Sequence, residues 1–349
     1  SWIAANNVDV TGESNVTPGT SIVINDVLNN ITNVDQVVVY TVTATSNNGC
    51  AGDPFTVSVT VRPEPRGFTD NSPIICSDDV VAYDLSLNIA NVVSGGNNLT
   101  LGTTYSWVAA NHASVTGEST IAQSGTIITD VLNNVTSANQ IVVYTVTPTS
   151  AQGCVGDPFT VSVTVRPEPR GFNDVSPVIC SNATVNYILS TNIANTGSGG
   201  NNLVAGTTYE WLAADNTNVT GETLAPTLTG TITDVLVNVT SANQVVVYTV
   251  TPTSSDGCVG NPFTVSVTVR PQPIGAADTD AVCSDEAISY NIQTRNINLL
   301  GNSVNSQFTY TVVSSDPGNV SAAGKDRPVA SAAAITDTYT NTTSADVQV

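Results

Sequence analysis

Residues 142–172, VVYTVTPTSAQGCVGDPFTVSVTVRPEPRGF, decide the fold because nearly the same stretch occurs three times in the chain. It is VVYTVTATSNNGCAGDPFTVSVTVRPEPRGF at 38–68 and VVYTVTPTSSDGCVGNPFTVSVTVRPQPI at 246–274. In each copy two runs rich in Val and Thr flank a turn that contains Gly, which predicts a β-hairpin. In the second run of the central copy, every second residue from Phe159 to Val165 is apolar, so one face of that strand is predicted to be buried.

The spacing of cysteine and tryptophan gives the period of the repeat. Such a period is too long for a solenoid repeat of about 20–50 residues and matches the roughly 100 residues of an immunoglobulin-like sandwich. The sequence therefore predicts an all-β chain of tandem immunoglobulin-like β-sandwich domains, with a period of about 104 residues. The residues that set it are Cys50, Cys154 and Cys258, 104 apart, and Trp2, Trp107 and Trp211, 105 and 104 apart.

This period divides the chain into four predicted domains. Residues 65–168 and 169–272 are complete repeats, and 1–64 is a partial repeat whose opening strands are missing. Residues 273–349 are a divergent partial repeat without a closing hairpin. Each Trp lies in a strand-like stretch, and two of the three have a Tyr two residues earlier, which predicts core positions for Trp2, Trp107 and Trp211.

Composition limits the class of partner. The 349 residues contain 8 Lys+Arg against 28 Asp+Glu, for a net charge of −20, so binding to nucleic acid or to an anionic membrane surface is disfavoured. No apolar run approaches the ~20 residues of a spanning helix, and no membrane insertion is predicted.

Six cysteines without a CxxC pair favour disulfides over zinc and an extracellular location. One scheme pairs neighbours across a domain boundary, as Cys50–Cys76. The other pairs cysteines within a domain and leaves Cys50 and Cys283 to pair outside these residues. We favour the second scheme, because the chain should enter each sandwich near the turn of its last hairpin, and a disulfide needs Cα atoms within ~7 Å. Its predicted bonds are Cys76–Cys154 and Cys180–Cys258.

No catalytic constellation or cofactor site is predicted, so the chain is expected not to be an enzyme. The single histidine, His112, is replaced by Asn7 and Asn216 in the sister repeats, which excludes a repeated catalytic base. Sequons such as those at Asn134 and Asn238 leave glycosylation open. Several acidic residues recur at the repeat spacing, and paired carboxylates of this kind are also used by glycosidases. They are Glu13, Glu118 and Glu222, and Asp26, Asp130 and Asp234.

Acidic residues near the domain boundaries allow a second interpretation, a calcium site that stiffens the linker. At the third boundary the acids become Asn261 and Gln272 while the arginine of the first two becomes Ile274. Acids and base disappear together there, which favours a local ion pair over calcium. The calcium candidates are Asp53, Glu64, Asp70, Asp157, Glu168 and Asp174.

The ordered motifs ICS, TTYSW, VTGE and the long hairpin string resemble the PKD-like, immunoglobulin-like tandem repeats of giant surface proteins from gliding bacteria. The resemblance covers essentially the whole chain, with the fourth repeat weakest. It implies export to the cell surface, often by a type IX secretion system, and display as an adhesin or filament.

The linker RPEPRGF holds an extended, semi-rigid geometry through its alternating prolines, so repetition is expected to build length. The predicted function is a stalk or filament segment of a long bacterial surface adhesin. The expected partners are neighbouring repeats of the same chain, with other copies in a filament and surface glycans as further candidates. Two alternatives stay open: an array of repeats that binds polysaccharide, and a fibre subunit that assembles laterally.

Overall fold

The computed structural model describes residues 1–14, 21–320, 327–331 and 334–349. Their contacts divide the chain into two compact units. The first unit is Ser1–Glu168 together with Asp256–Cys258, and the second is Pro169–Ser255 together with Val259–Val349. Strands dominate both units, which confirms the all-β class.

The first 64 residues form a three-stranded sheet in the order β1-β4-β5 and a small two-stranded sheet of β2 and β3. All of the pairs are antiparallel. The strands are β1 (Trp2–Ala4), β2 (Val10–Thr11), β3 (Asn29–Asn30), β4 (Gln36–Val42) and β5 (Phe55–Val61).

The next repeat is built on a five-stranded sheet in the order β10-β8-β13-β14-β6, beside the small pairs β11-β7 and β12-β9. Its first strand, β6, runs parallel to β14, whereas the other pairs are antiparallel. The elements are β6 (Ile74–Cys76), β7 (Tyr83–Asp84), α1 (Leu85–Ala90), β8 (Thr104–Ala109), β9 (Val115–Thr116), β10 (Gln123–Ser124), β11 (Ile127–Ile128), β12 (Asn133–Asn134), β13 (Gln140–Thr149) and β14 (Phe159–Arg166).

The third repeat has the same plan, with a five-stranded sheet in the order β15-β24-β23-β18-β20 and smaller sheets β16-β22-β19 and β17-β21. Again its first strand is parallel to its last. The elements are β15 (Val178–Cys180), β16 (Ala183–Thr184), β17 (Tyr187–Ile188), α2 (Leu189–Ala194), β18 (Thr208–Ala213), β19 (Val219–Thr220), β20 (Thr227–Leu228), β21 (Thr231–Ile232), β22 (Val235–Asn238), β23 (Gln244–Thr253) and β24 (Phe263–Arg270).

The remaining residues form two short antiparallel pairs, β25-β28 and β26-β27, and a π-helix at Gln293–Leu299. The strands are β25 (Tyr290–Asn291), β26 (Phe308–Tyr310), β27 (Arg327–Ser331) and β28 (Ala334–Ile335).

The hairpin of β13 and β14 follows directly from its sequence. The alternating Val side chains give β14 one fully buried face, with Val161, Val163 and Val165 each 0% exposed. The residues between them are half-buried on the opposite face. A period of two with β-branched residues fixes both the strand and the face that packs on the core.

Residues 80–87, whose alternation predicts a strand, instead form only the two-residue β7 and then turn into helix α1. Asp84 caps the helix by accepting a hydrogen bond from the Ser86 backbone N–H. Leu85 and Ile89 are four residues apart and both 0% exposed, so a single helical turn buries them together. Likewise, the stretch GTIITDVLNN at 125–134, whose composition predicts a single strand, forms the two short strands β11 and β12.

Each of the first three repeats has a Trp in its hydrophobic core. Trp2, Trp107 and Trp211 are 5%, 4% and 2% exposed. Each meets a buried Tyr edge-to-face, with ring centroids 5.6–5.7 Å apart. Such aromatic pairs contribute about 0.5–1.5 kcal/mol beyond the area that they bury.

Candidate functional site

The aspartates that recur at the repeat spacing are acceptors of internal hydrogen bonds, with Asp130 and Asp234 buried and Asp26 half-buried. The Asp130 carboxylate accepts hydrogen bonds from the Ser119 backbone N–H at 2.7 Å, the Ser119 hydroxyl at 2.7 Å and the Tyr144 hydroxyl at 3.0 Å. Asp130 is 8% exposed, and burial together with the charge of Asp130 raises the pKa of Tyr144. Asp26 and Asp234 make the same three bonds in the sister repeats. These carboxylates therefore have structural partners and are not arranged as an acid–base pair.

The recurring glutamates and the histidine also hold a loop. Glu118 accepts a hydrogen bond from the His112 backbone N–H at 3.0 Å, and the His112 ring accepts one from the Ser114 N–H at 3.2 Å. Asn7 and Asn216 take the place of His112, and their backbone N–H groups donate to Glu13 and Glu222. The residue type at this position can vary because the bond to the glutamate comes from the backbone.

The sequons at Asn134 and Asn238 lie in the interior. The two side chains are 1% and 0% exposed, and each amide donates to a backbone carbonyl of the last strand, Val165 or Val269, at 2.9 Å. A glycan at either position would break these bonds and would not fit, so neither asparagine can carry a glycan in the folded chain.

A second polar network connects the opening segment of each complete repeat to its short helix. The Tyr83 hydroxyl donates to Asp70 at 2.8 Å, and the Asn88 amide donates to Tyr83 at 2.9 Å and to the Phe68 carbonyl at 3.0 Å. Burial alone would raise the pKa of Asp70, but hydrogen bonds from Ser72 and Tyr83 hold it below its usual value.

The network recurs in the third repeat, where Tyr187 donates to Asp174 at 2.8 Å and Asn192 donates to Tyr187 at 2.9 Å. Burial and the charge of Asp174 raise the pKa of Tyr187 to about 12, although the bond from Asn192 opposes this. Asp70 and Asp174, two of the six calcium candidates, are thus partnered by tyrosine.

The other four calcium candidates lie on the linkers and hairpin loops. Asp53, Glu64 and Asp157 are exposed and Glu168 is half-buried. In the described part of the chain, no three acidic, histidine or cysteine side chains converge as metal ligands. The calcium interpretation stays a prediction without a geometry to support it.

The Gly-rich loops SGGNN, at 94–98 and 198–202, hold the proline linkers, a role that the sequence did not predict. Asn97 accepts a hydrogen bond from the Arg66 backbone N–H at 2.9 Å and donates to the Glu64 carbonyl at 2.6 Å. Asn201 and Asn302 accept the equivalent bonds from Arg170 and Ile274. The preceding Gly96 is required because a Cβ there would overlap the carbonyls of Asn88 and Ile89. The signal in the sequence was the recurring Asn after SGG.

The predicted disulfides Cys76–Cys154 and Cys180–Cys258 are both wrong. Cys76 is bonded instead to Cys258, 182 residues away, with Cα atoms 5.5 Å apart. Cys50, Cys154, Cys180 and Cys283 are free thiols in this structure. The alternative Cys50–Cys76 pair is not formed either.

The direction of strand β6 explains the correction. The chain does begin the repeat near the hairpin turn, where the Pro65 carbonyl packs against Gly156. From there it runs parallel to β14, so that Cys76 lies opposite Arg166 at the far end of that strand. Seven residues of β14 separate this end from Phe159, which is about 23 Å at ~3.3 Å per residue and beyond the reach of Cys154.

The surroundings of the Cys76–Cys258 bond are partly open and contain both apolar and charged side chains. An open cleft beside it is lined by Ile74–Cys76, Asp79, Val80 and Arg166. The Arg166 guanidinium lies 3.8 Å from the Asp256 carboxylate, and both side chains are partly exposed. We call the Cys76–Cys258 bond and this ion pair the junction contact, because Cys76 and Arg166 belong by sequence to the second repeat and Asp256 and Cys258 to the third.

Comparison with known families identifies the repeats. The family model of the PKD-like domain matches residues 1–65, 73–169 and 177–273, which together are most of the chain. The chain belongs to the PKD-like domain family. The PKD-like resemblance and the tandem immunoglobulin-like architecture are thereby confirmed.

Solved structures of tandem domains are similar to this PKD-like chain at low identity. The chicken CNTN1 FN1–FN3 domains are 11% identical, with 67% of this chain and 76% of that chain covered and a TM-score of 0.25. An I-band fragment of titin, I67–I69, is 13% identical, covering 68% and 75%, with a TM-score of 0.25. The human Desmocollin-1 ectodomain is 14% identical, covering 85% and 58%, with a TM-score of 0.22. No curated protein matches the chain.

Two further findings complete the comparison. The fold and the family are those of immunoglobulin-like repeat domains. Among the described residues, no helix has both the length and the apolar character needed to cross a bilayer.

Proposed function

We propose that this chain is a stalk segment of a long extracellular bacterial surface adhesin, in which PKD-like repeats are covalently cross-linked to their neighbours. The observation that carries the proposal is the junction contact. The bond between Cys76 and Cys258 connects residues of two successive repeats in addition to the linker between them. An array that must keep its length under load benefits from such a second connection, because the linker alone no longer carries the tension.

The recurring polar residues support a spacer over a binding array. The aspartates and asparagines that recur at the repeat spacing make internal hydrogen bonds and are buried, except for the half-buried Asp26, and the three tryptophans are at most 5% exposed. Sugar recognition by stacking requires exposed aromatic faces, and these tryptophans do not provide them. The net charge of −20 favours solubility and repulsion between neighbouring stalks.

Immunoelectron microscopy on the native organism, with antibodies raised against the repeats, tests the proposal. Gold particles are expected along filaments that project from the cell surface. Labelling confined to the cell interior would overturn the proposal. A glycan array probed with the oxidised chain gives the matched test of the alternative, since saturable binding that is lost in a variant of an exposed residue would make the chain a polysaccharide binder instead.

A further inference from the structure

We infer that the junction contact is one instance of a rule for the whole array: the cysteine of each opening strand bonds the hairpin cysteine of the PKD-like repeat that follows. Cys180 and Cys154 are then halves of two further junction contacts. Their partners are cysteines of adjoining repeats in the same tandem array. The inference deepens the proposed function and rests on the chain being part of such an array.

The opening strands of the second and third repeats present their cysteines identically. In the parallel strand register, Cys76 lies opposite Arg166, and Cys180 lies opposite Arg270 at the equivalent position. The next residue in each case donates its backbone N–H to the carbonyl of that arginine at 2.8 Å. Cys76, which is bonded, is half-buried, whereas Cys180 is exposed. Both repeats therefore have the same opening strand, but only in the second repeat is its cysteine disulfide-bonded.

The hairpin tips also share one conformation. Cys154 donates its N–H to the Ser150 hydroxyl at 3.1 Å, and Cys50 makes the same bond to Ser46. The glycine before the cysteine is left-handed in all three tips, with φ of +85°, +84° and +85° at Gly49, Gly153 and Gly257. The bonded Cys258 is the most buried of the three at 0% exposed, whereas the free Cys154 is half-buried and the free Cys50 is exposed.

One spacing is consistent with the bonding state of all six cysteines. The bonded pair is 182 residues apart. A position 182 residues after Cys180 lies beyond Val349, and one 182 residues before Cys154 lies ahead of Ser1. Cys50 and Cys283 likewise have no counterpart at this spacing among these residues. Among these residues, Cys76 and Cys258 are the only two cysteines that lie 182 residues apart, and they are the pair that is bonded.

The bond forms by thiol–disulfide exchange with a small-molecule or protein disulfide as oxidant. The Cys180 thiolate attacks the oxidant, which gives a mixed disulfide and releases one thiol. The thiolate of the adjoining hairpin cysteine then attacks the Cys180 sulfur, forms the junction bond and releases the second thiol. Two protein thiols are oxidised, the oxidant takes two electrons, and two protons leave the protein.

The rule has a mechanical consequence. Tension that passes through the Cys76–Cys258 bond does not reach the residues between them. If every repeat follows the rule, a pulling force crosses two repeats through one junction bond and the 25-residue interval from Cys258 to Cys283. Only that interval is then free to extend. The linkers and sandwich domains enclosed by a junction bond then carry no tension, even if one of these domains unfolds.

Insertion of one more repeat supplies the missing partner and tests the rule. A second copy of residues 169–272 is inserted after Gln272 in the full chain, so that the copy follows the third repeat in the natural period. The copy carries Val178→Ile and Val259→Ile as mass labels, at positions 47% and 57% exposed. The control chain carries Cys258→Ser in the copy alone. Both are refolded with oxidised and reduced glutathione, and their disulfides are mapped by peptide mass spectrometry without reductant.

The expected result is a bond between Cys180 of the original repeat and the labelled cysteine of the copy, with at least a tenfold loss of maleimide labelling at Cys180. In the control, Cys180 should label fully while Cys76–Cys258 is retained. The rule is overturned if Cys180 still labels in the extended chain, if it bonds Cys154, or if Cys76–Cys258 does not form. None of these outcomes depends on where the protein resides, so they are separable from failure of the stalk proposal.

Discussion

At the scale of single residues, the buried aspartates stabilise each sandwich from within. Asp130 is the acceptor for three donors, of which the Tyr144 hydroxyl is buried and the two groups of Ser119 are half-buried. We expect Asp130→Ala to lower the free energy of unfolding of its repeat by about 3 kcal/mol, since each orphaned buried donor costs roughly 1–3 kcal/mol. Urea denaturation in a Trp2→Phe, Trp211→Phe background, where Trp107 reports on the second repeat, measures it.

The matched control for that prediction is Asp157→Ala, an exposed acid on the hairpin loop of the same repeat. Surface substitutions of this kind change stability by within about 0.5 kcal/mol. Equal shifts of the urea midpoint in the two variants would show that Asp130 has no special role.

The pair of Tyr187 and Asp174 should make the stability of the folded protein depend on pH in the alkaline range. The pKa of Tyr187 is raised to about 12 in the folded state, against an ordinary value of 10.0. A raised pKa contributes stability that is complete below about pH 10 and is lost as the pH rises towards 12. We expect the melting temperature to fall over this range, and less steeply in Tyr187→Phe. Below pH 9 the difference between the two proteins should be constant. Parallel curves from pH 7 to 11.5 would contradict the prediction.

At the scale of elements, the linker is expected to be held by the Gly-rich loop. Asn97 bonds the backbone on both sides of Pro65, so Asn97→Ala should free the Arg66 amide. Loss of a hydrogen bond worth about 1–2 kcal/mol corresponds to roughly a 5–30-fold faster hydrogen exchange at Arg66. Exchange measured by mass spectrometry should be unchanged in Asn111→Ala, a matched change on an exposed loop. Unchanged protection at Arg66 in the Asn97 variant would contradict this role.

The elements also show what the sequence could and could not predict. The strands at 104–109, 140–149 and 159–166 were predictable because apolar residues occupy every second position of each strand and a turn adjoins it. Helix α1 was missed because it has only six residues. Its single pair of apolar residues at helical spacing, Leu85 and Ile89, also fits the alternation of a strand. A short element takes its structure from its cap and from the core that it meets.

The disulfides were mispredicted for a different reason. Local patterns do not state whether the first strand runs parallel or antiparallel to the last, and this direction alone decides which end of the sheet Cys76 occupies. The role of Asn97 is hidden in the same way, because SGGNN has the composition of any turn and its partners are backbone groups about 30 residues earlier.

At the scale of the whole molecule, the central claim is that the chain is an array of PKD-like repeats whose extensibility is limited by a bond between Cys76 and Cys258. The bond encloses a loop with a sequence separation of 182 residues. An extended chain spans at most ~3.3–3.6 Å per residue, so the loop hides about 600–660 Å of contour length from a pulling force.

Single-molecule stretching of the 349-residue chain from its two ends, with and without reductant, measures that hidden length directly. We predict that reduction adds one increment of about 600–660 Å to the fully unfolded length, and that Cys76→Ser shows the longer length without reductant. Equal lengths in both conditions, or two separate increments of about 270 Å from loops of 78 residues at Cys76–Cys154 and Cys180–Cys258, would contradict the account.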